Sequence, residues 1–322
     1  MENRIKYIDK LKGFAILLVI MGHITEKSFG IEGSYFSKFC GSIHTPLLMF
    51  LSGVFVLQHI KKYNLKVFFK FVYKKFLRLM IPFFTFGGSY IILRGRGGVN
   101  FYDLDAYWFL PALFYCMITI WLLKAVVCKF KKFFIKSIIG IVLWCTLLIL
   151  YYLNVVSWIP FYLNYIKMFP FFMMGVLYNK YKDIFLNDLI YSISILGYII
   201  CWILPINSIQ IYKIPAIFAC VILVKVFQVY DDKISEKFCE LGENSLEIYV
   251  LHYFFLPSIL CLQFITKYTN KNVFYNENFI LILCISGFIA FIIAKICIWI
   301  SNIFKKSRLF NFLCFGKFKI KK

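Results

Sequence analysis

Long apolar runs, each ended by a knot of lysine or arginine, recur along this chain and leave it one kind of environment to fold in. Of its 322 residues, 61% are hydrophobic and 21% aromatic, with a mean hydropathy of +0.78, against about one half apolar for an ordinary soluble domain. Hydrocarbon offers a backbone no hydrogen-bond partners, so runs of this kind cross it as helices. The expectation is an all-α membrane protein, a bundle of about ten transmembrane helices. Hydropathy puts the spans at residues 7–24, 42–60, 79–93, 106–127, 133–153, 158–178, 189–204, 209–227, 245–263 and 279–304, with no internal repeat. A basic amphipathic segment, residues 61–78, follows the second helix and suits a membrane surface. The N-terminus has the charge and apolar run of a signal peptide but no small-residue cleavage site after His23, and it reads as a retained first helix.

The formal net charge of +22 raises the question of nucleic acid. The distribution of the charge answers it. With the N-terminus inside, 28 of the 37 Lys and Arg fall on cytoplasmic segments and seven on outer loops: Lys27, Lys38, Arg94, Arg96, Lys213, Lys267 and Lys271. Lys167 and Lys295 lie within spans. Cytoplasmic loops hold such an excess in membrane proteins, so the charge is topological, both termini are expected in the cytoplasm, and no nucleic-acid partner is implied. Residues 1–304 form one expected domain and residues 305–322 a basic cytoplasmic tail. The eleven cysteines contain no C-x-x-C pair and sit mostly in apolar runs as small fillers.

The first helix is the costly one. DKLKGFAILLVIMGH, Asp9 to His23, draws an acid, two lysines and a histidine toward lipid, because the apolar core after Lys12 is too short to span alone. Lys12 and His23 are eleven residues apart, three helical turns, so they share a face at a separation of about 16 Å, with Asp9 close to that face. His44 precedes Pro46, which suits the first turn of the second helix, where Thr45, Ser52 and His59 repeat every seven residues and Ser52-Gly53 permits close packing. His252, with Ser245 and Tyr249 at i-7 and i-3, makes a polar stripe on the ninth helix that belongs in a bundle interior. Glu240, Glu243 and Glu247 before it suit a helix N-terminus, with Asn244 or Ser245 as the cap. Lys74, Lys75 and Arg78 are either membrane-surface charge or a phosphate site, and Trp108, in Tyr107-Trp108-Phe109, either an interfacial belt residue or a platform for a sugar ring. A histidine, with an ordinary pKa near 6.5, can move a proton at neutral pH. No Ser-His-Asp spacing, phosphate loop or H-x-x-x-H metal pair occurs, so no metal is expected. The residues alone leave an enzyme, a transporter or flippase, and a non-catalytic assembly subunit open.

RIKYIDKLKGFAILLVIMGH, HTPLLMFLSG, RLMIP, YWFLPALF, FMMGVLY and LGENSLEIYVLH occur in an order that resembles the acyltransferase-3 family of integral membrane O-acyltransferases, most closely its fucose 4-O-acetylase-like branch. The most specific element is a basic residue, ten residues and a histidine, here Lys12 and His23, with Lys where the family often has Arg. Leu47 and Leu48 stand where the family's second-helix pattern is aromatic. The resemblance implies transfer of an acyl group, most often acetyl from cytoplasmic acetyl-CoA, to a hydroxyl of a cell-surface glycan or lipid-linked precursor, in the plasma (inner) membrane of a bacterium. It implies His23 as general base or transient acyl carrier. Lys12, Lys75 and Arg78 would serve the donor, and His44 and His252 the acceptor or proton path, with His252 a second catalytic candidate. Asp9, Ser52, Trp108, Ser245 and Tyr249 complete the candidate site as supporting or acceptor-binding groups.

The topology is checked by reporter fusions: a fluorescent protein after Lys322 is expected to fold in the cytoplasm, and alkaline phosphatase fused after Lys38 to be active outside.

Overall fold

The computed structural model describes residues 5–29, 34–57, 63–93, 101–128, 130, 133–156, 158–203, 213–256 and 279–318. Among these residues the fold is all helix, with no strand. The helices are α1 (Lys6–His23), α2 (Tyr35–Phe55), α3 (Leu65–Leu93), α4 (Phe109–Val127), α5 (Phe133–Tyr152), α6 (Tyr162–Tyr178), α7 (Lys182–Phe185), α8 (Asp188–Ile203), α9 (Lys213–Val229), α10 (Glu236–Glu243), α11 (Ser245–Leu251), α12 (Phe279–Lys306) and α13 (Arg308–Phe315). Among the described residues, α3, α4 and α12 are long and apolar enough to cross a membrane, and Ile138–Tyr152 and Asp188–Ile203 are shorter apolar stretches.

Three boundaries differ from the hydropathy reading, each at a proline. The basic segment and the third span are one helix: α3 runs unbroken from Leu65 to Leu93 with Pro82 in its interior. Pro46 likewise lies inside α2, which starts at Tyr35, so His44 sits in mid-helix and not at its first turn. A proline ring removes one backbone bond from a helix, and at both positions the chain continues regardless. The ninth span does stop early: α11 ends at Leu251, residues His252–Phe255 tighten into a 3-10 turn, and Leu256 is extended at φ −64°, ψ 126°. Proline is next in the sequence, and a residue before proline disfavours the helical region.

The chain divides into two units, Met1–Leu51 with Tyr178–Ile303, and Ser52–Leu177 with Phe304–Lys322. In the first, α1 packs along α10 and also meets α9 and α11. Gly13 and Gly242 make that packing possible. A β-carbon on Gly13 would strike the carbonyl of Phe238, and one on Gly242 the carbonyl of Asp9, so the two backbones touch with no side chain between them. One turn away, Lys10 is 1% exposed. Its ammonium donates to the backbone carbonyl of Asp231 at 2.6 Å and lies 2.9 Å from Asp231 Oδ1 and 3.0 Å from Glu236 Oε1. Three acceptors for three donors are what a buried ammonium needs. Tyr7 and Tyr178 join through their hydroxyls at 2.9 Å, and the buried Lys225 of α9 pairs with Asp188 at the start of α8.

In the second unit α3 packs against α4 on one side and α13 on another. Thr85 Oγ1 donates to the carbonyl of Leu313 at 2.7 Å, and Gly316 ends α13 in the left-handed conformation (φ 61°) with its N–H on the Phe312 carbonyl at 2.8 Å. That backbone passes against the Leu77 carbonyl, where a side chain would not fit. Residues 305–322 thus include the last turn of α12 and a helix docked on α3.

Replacing a partner of a buried charge costs most when the charge cannot rehydrate. Asp231→Ala, which strips Lys10 of a carboxylate that is itself only 29% exposed, is expected to lower stability by about 3 kcal/mol. Glu236→Ala, whose side chain is 66% exposed, should cost under about 1 kcal/mol. Thermal unfolding of the detergent-solubilised variants measures the difference.

Candidate active site

His23 is the last residue of α1, and the chain goes straight into a π-helical turn, Ile24–Ser28. Such wide turns are rare and gather at functional sites. Thr25 Oγ1 donates to the carbonyl of Met21 at 2.8 Å, occupying an acceptor that the change of helix type disturbs. From the other side of the first unit, α11 delivers His252 at its C-terminal end. The two imidazoles stack, ring centroids 5.4 Å apart and planes 24° from parallel. Tyr253 completes the group: its ring centroid is 4.8 Å from that of His23, and its hydroxyl is 2.9 Å from His23 Nε2.

The chemistry of the partners fixes one tautomer outright. His252 Nδ1 lies 2.7 Å from the carbonyl of Tyr249 and 3.2 Å from that of Ile248. Carbonyl oxygens only accept, so Nδ1 carries the hydrogen and, in the neutral ring, Nε2 carries the lone pair. That Nε2 is buried and makes no hydrogen bond among the described residues, and the same holds for His23 Nδ1. A buried polar atom left in this way costs stability, and two of them lie on the stacked rings.

His44 joins the same region through α2. Its Nε2 would stand 3.6 Å from a β-carbon on Gly22, one residue before His23, and its Nδ1 is 2.6 Å from Thr45 Oγ1. Three of the four histidines of the chain therefore meet around the end of α1; His59 lies outside the described residues. Close by on α2, Tyr35 and Phe39 line a cavity of about 260 Å³ with Tyr198, Trp202 and Phe279. At the other end of α1, Lys12 donates to Asp9 Oδ1 at 3.3 Å, the pairing that their spacing suggested. Asp9, Cys239 and Glu243 bring their ligand atoms within 4.8 Å of one another, but the ammonium of Lys12 already opposes a cation there.

Ser245 opens α11 and the buried Tyr249 lies within it, so both sit on the element that carries His252, Tyr249 through its carbonyl. The acidic lead-in does precede a helix start, with Asn244 at the N-cap position of α11 and Glu247 in its first turn. But the Asn244 side chain donates to the Glu240 carbonyl at 2.9 Å and does not cap, Glu240 pairs with Lys295 at 2.5 Å, and Glu247 is 2% exposed. Ser52, Lys75, Arg78 and Trp108 belong to the second unit. Ser52 sits beside Gly53, whose α-carbon abuts the Phe172 carbonyl. Arg78 is exposed on α3, Lys75 has its ammonium 5.6 Å from the Phe71 ring, and Trp108 precedes α4, its ring 6.2 Å from that of Phe109.

A family model described as an acyltransferase domain matches residues 5–299. The chain belongs to that family. It is an acyltransferase, and its apolar helices and family together make it a membrane protein. No curated protein and no solved structure gives a significant match.

Two residues of this acyltransferase escaped the sequence reading. Lys10 was passed over for Lys12 because one helix in isolation does not show that Asp231 and Glu236 return to it. Tyr253 does not stand out while hydropathy makes residues 245–263 one regular helix; Pro257 is the signal in the sequence that the helix ends sooner.

Proposed function

We propose that the chain transfers an acetyl group from acetyl-CoA to a hydroxyl of a cell-surface glycan or its lipid-linked precursor, with His23 and His252 as the groups that handle the proton. The carrying observation is the stacked pair of imidazoles, each with one buried ring nitrogen lacking a partner among the described residues. In the step that this pair supports, a ring nitrogen takes the proton of the acceptor hydroxyl as its oxygen attacks the thioester carbonyl. The carbon–sulfur bond breaks, the ester forms, and the same proton passes to the departing thiolate, leaving free CoA. His252 is suited to the acceptor hydroxyl, since its lone pair is held on Nε2.

The ends of α1 suit different parts of the reaction. Lys12, steadied by Asp9, offers positive charge about 16 Å from the histidines, a distance that fits a donor whose phosphates lie far from its thioester. In the second unit the exposed Arg78 offers the planar fork that suits phosphate, with Lys75 one turn before it. The aromatic cavity near the start of α2 favours an acceptor with apolar ring faces, as sugars have, over the Trp108 platform. The order of the motifs supports the fucose 4-O-acetylase-like branch and a bacterial inner membrane as the setting.

Membranes holding the wild-type chain, given radiolabelled acetyl-CoA and extracted cell-surface glycan, are expected to label the glycan. His23→Ala and His252→Ala should each lower the rate by about 10²- to 10⁴-fold. Full activity in both variants would overturn the assignment, and labelling of lipid or protein in place of glycan would overturn the acceptor.

A further inference from the structure

A histidine acting as base needs its lone pair on the nitrogen that faces the reaction, and something must hold the other nitrogen. For His252 the backbone does this, through the carbonyls of Tyr249 and Ile248. His23 has no equivalent carbonyl. Its Nε2 meets the phenol oxygen of Tyr253 at 2.9 Å, 230 residues away in the chain, and its Nδ1 is the buried nitrogen without a partner among the described residues. We propose that Tyr253 is a positioning residue for His23: its phenol oxygen accepts the Nε2–H and so keeps the lone pair on Nδ1, which becomes the reacting nitrogen.

The contact geometry fixes the pair, and the chemistry asked of the ring chooses the direction of the bond. Tyr253 is packed against both rings, its centroid 4.3 Å from His252 and 4.8 Å from His23, so its own rotation is restricted. A phenol can donate or accept. Were it to donate to Nε2, the hydrogen of His23 would move to Nδ1 and the ring would present a buried N–H where the chemistry needs a base. With the phenol accepting, His23 and His252 both offer a lone pair, one at Nδ1 and the other at Nε2, so the site holds two acceptors for hydroxyl protons on adjacent rings. When Nδ1 takes a proton, the cation that forms still donates through Nε2 to the phenol oxygen, and that bond strengthens with the charge. The role is that of the third group in a nucleophile–base–orienter arrangement, here filled by a neutral phenol and not a carboxylate, which adds no charge to a membrane interior.

Both the tautomer and its catalytic meaning are argued from the acyl-transfer reading above, and the test separates them, since the spectra report the tautomer without any assay of transfer. The full chain, labelled with ¹⁵N-histidine in lipid bilayers, has four imidazoles to assign, and the signal lost in His23→Ala identifies His23. The expected result is a single Nε2–H tautomer in the wild type and a mixture in Tyr253→Phe, a variant that keeps the ring packing and removes the oxygen. In the transfer assay Tyr253→Phe should lower kcat about tenfold, the worth of one lost hydrogen bond, with KM for donor and acceptor unchanged. An Nδ1–H tautomer in the wild type overturns the proposal, as does a phenylalanine variant with unchanged tautomer and kcat. Wild-type transfer by His23→Ala would overturn the acyl-transfer reading, and the spectra alone would then decide what Tyr253 does to the ring.

Discussion

The contact of α1 with α10 is the constraint on which the first unit turns. Gly13 and Gly242 let two backbones touch, and Lys10 fastens the adjacent turn to Asp231 and Glu236. From that fixed line α1 runs on to His23, while α10 passes through Asn244 into α11 and His252, and the two ends meet again at the stacked rings. The stacking of the two rings is thus the far end of a lever whose fulcrum is a pair of glycines. A buried lysine so close to lipid would be a liability without its acids; with them it fixes the register of the eight-residue α10 against α1.

The helices themselves were legible because hydropathy reports burial in lipid directly: the observed α1, α5, α8 and α12 begin and end within a few residues of the apolar runs. Pro46 misled because a proline marks a helix start only when nothing else holds the helix together, and lipid gives the backbone no better choice than to continue, as it does through Pro82 as well. After His252 the helix does break where a regular one was expected, at the residue that precedes a proline in the sequence. The meeting of His23, His44 and His252 was legible only as three polar stripes needing an interior. Which nitrogen faces which partner was not, because that depends on a turn four residues long and on a tyrosine that hydropathy counts as one more aromatic.

Charge is divided between the units as sharply as chemistry is. Of the 15 acidic residues, two, Asp103 and Asp105, belong to the second unit, so the first holds the other thirteen. In the first, lysines at helix ends and inside the fold meet carboxylates: Lys10, Lys12, Lys225 and Lys295 each have one. The second, with α3 and α13 carrying Lys66, Lys70, Lys74, Lys75, Arg78 and Arg308, has no such supply of neutralising partners. Its field is a net attraction for anions, whereas the charge of the first unit is spent on holding helices together.

The tautomers of the two stacked histidines have different origins. That of His252 is written by its own preceding turn and survives as long as those few residues stay helical. The one proposed for His23 depends on Tyr253, in the turn after α11, and persists only while that turn and the end of α1 keep their spacing. A slight loosening of the unit, too small to unfold it, would therefore scramble one ring and spare the other. On the proposed role of His23, catalytic competence is a more sensitive gauge of native order than melting temperature.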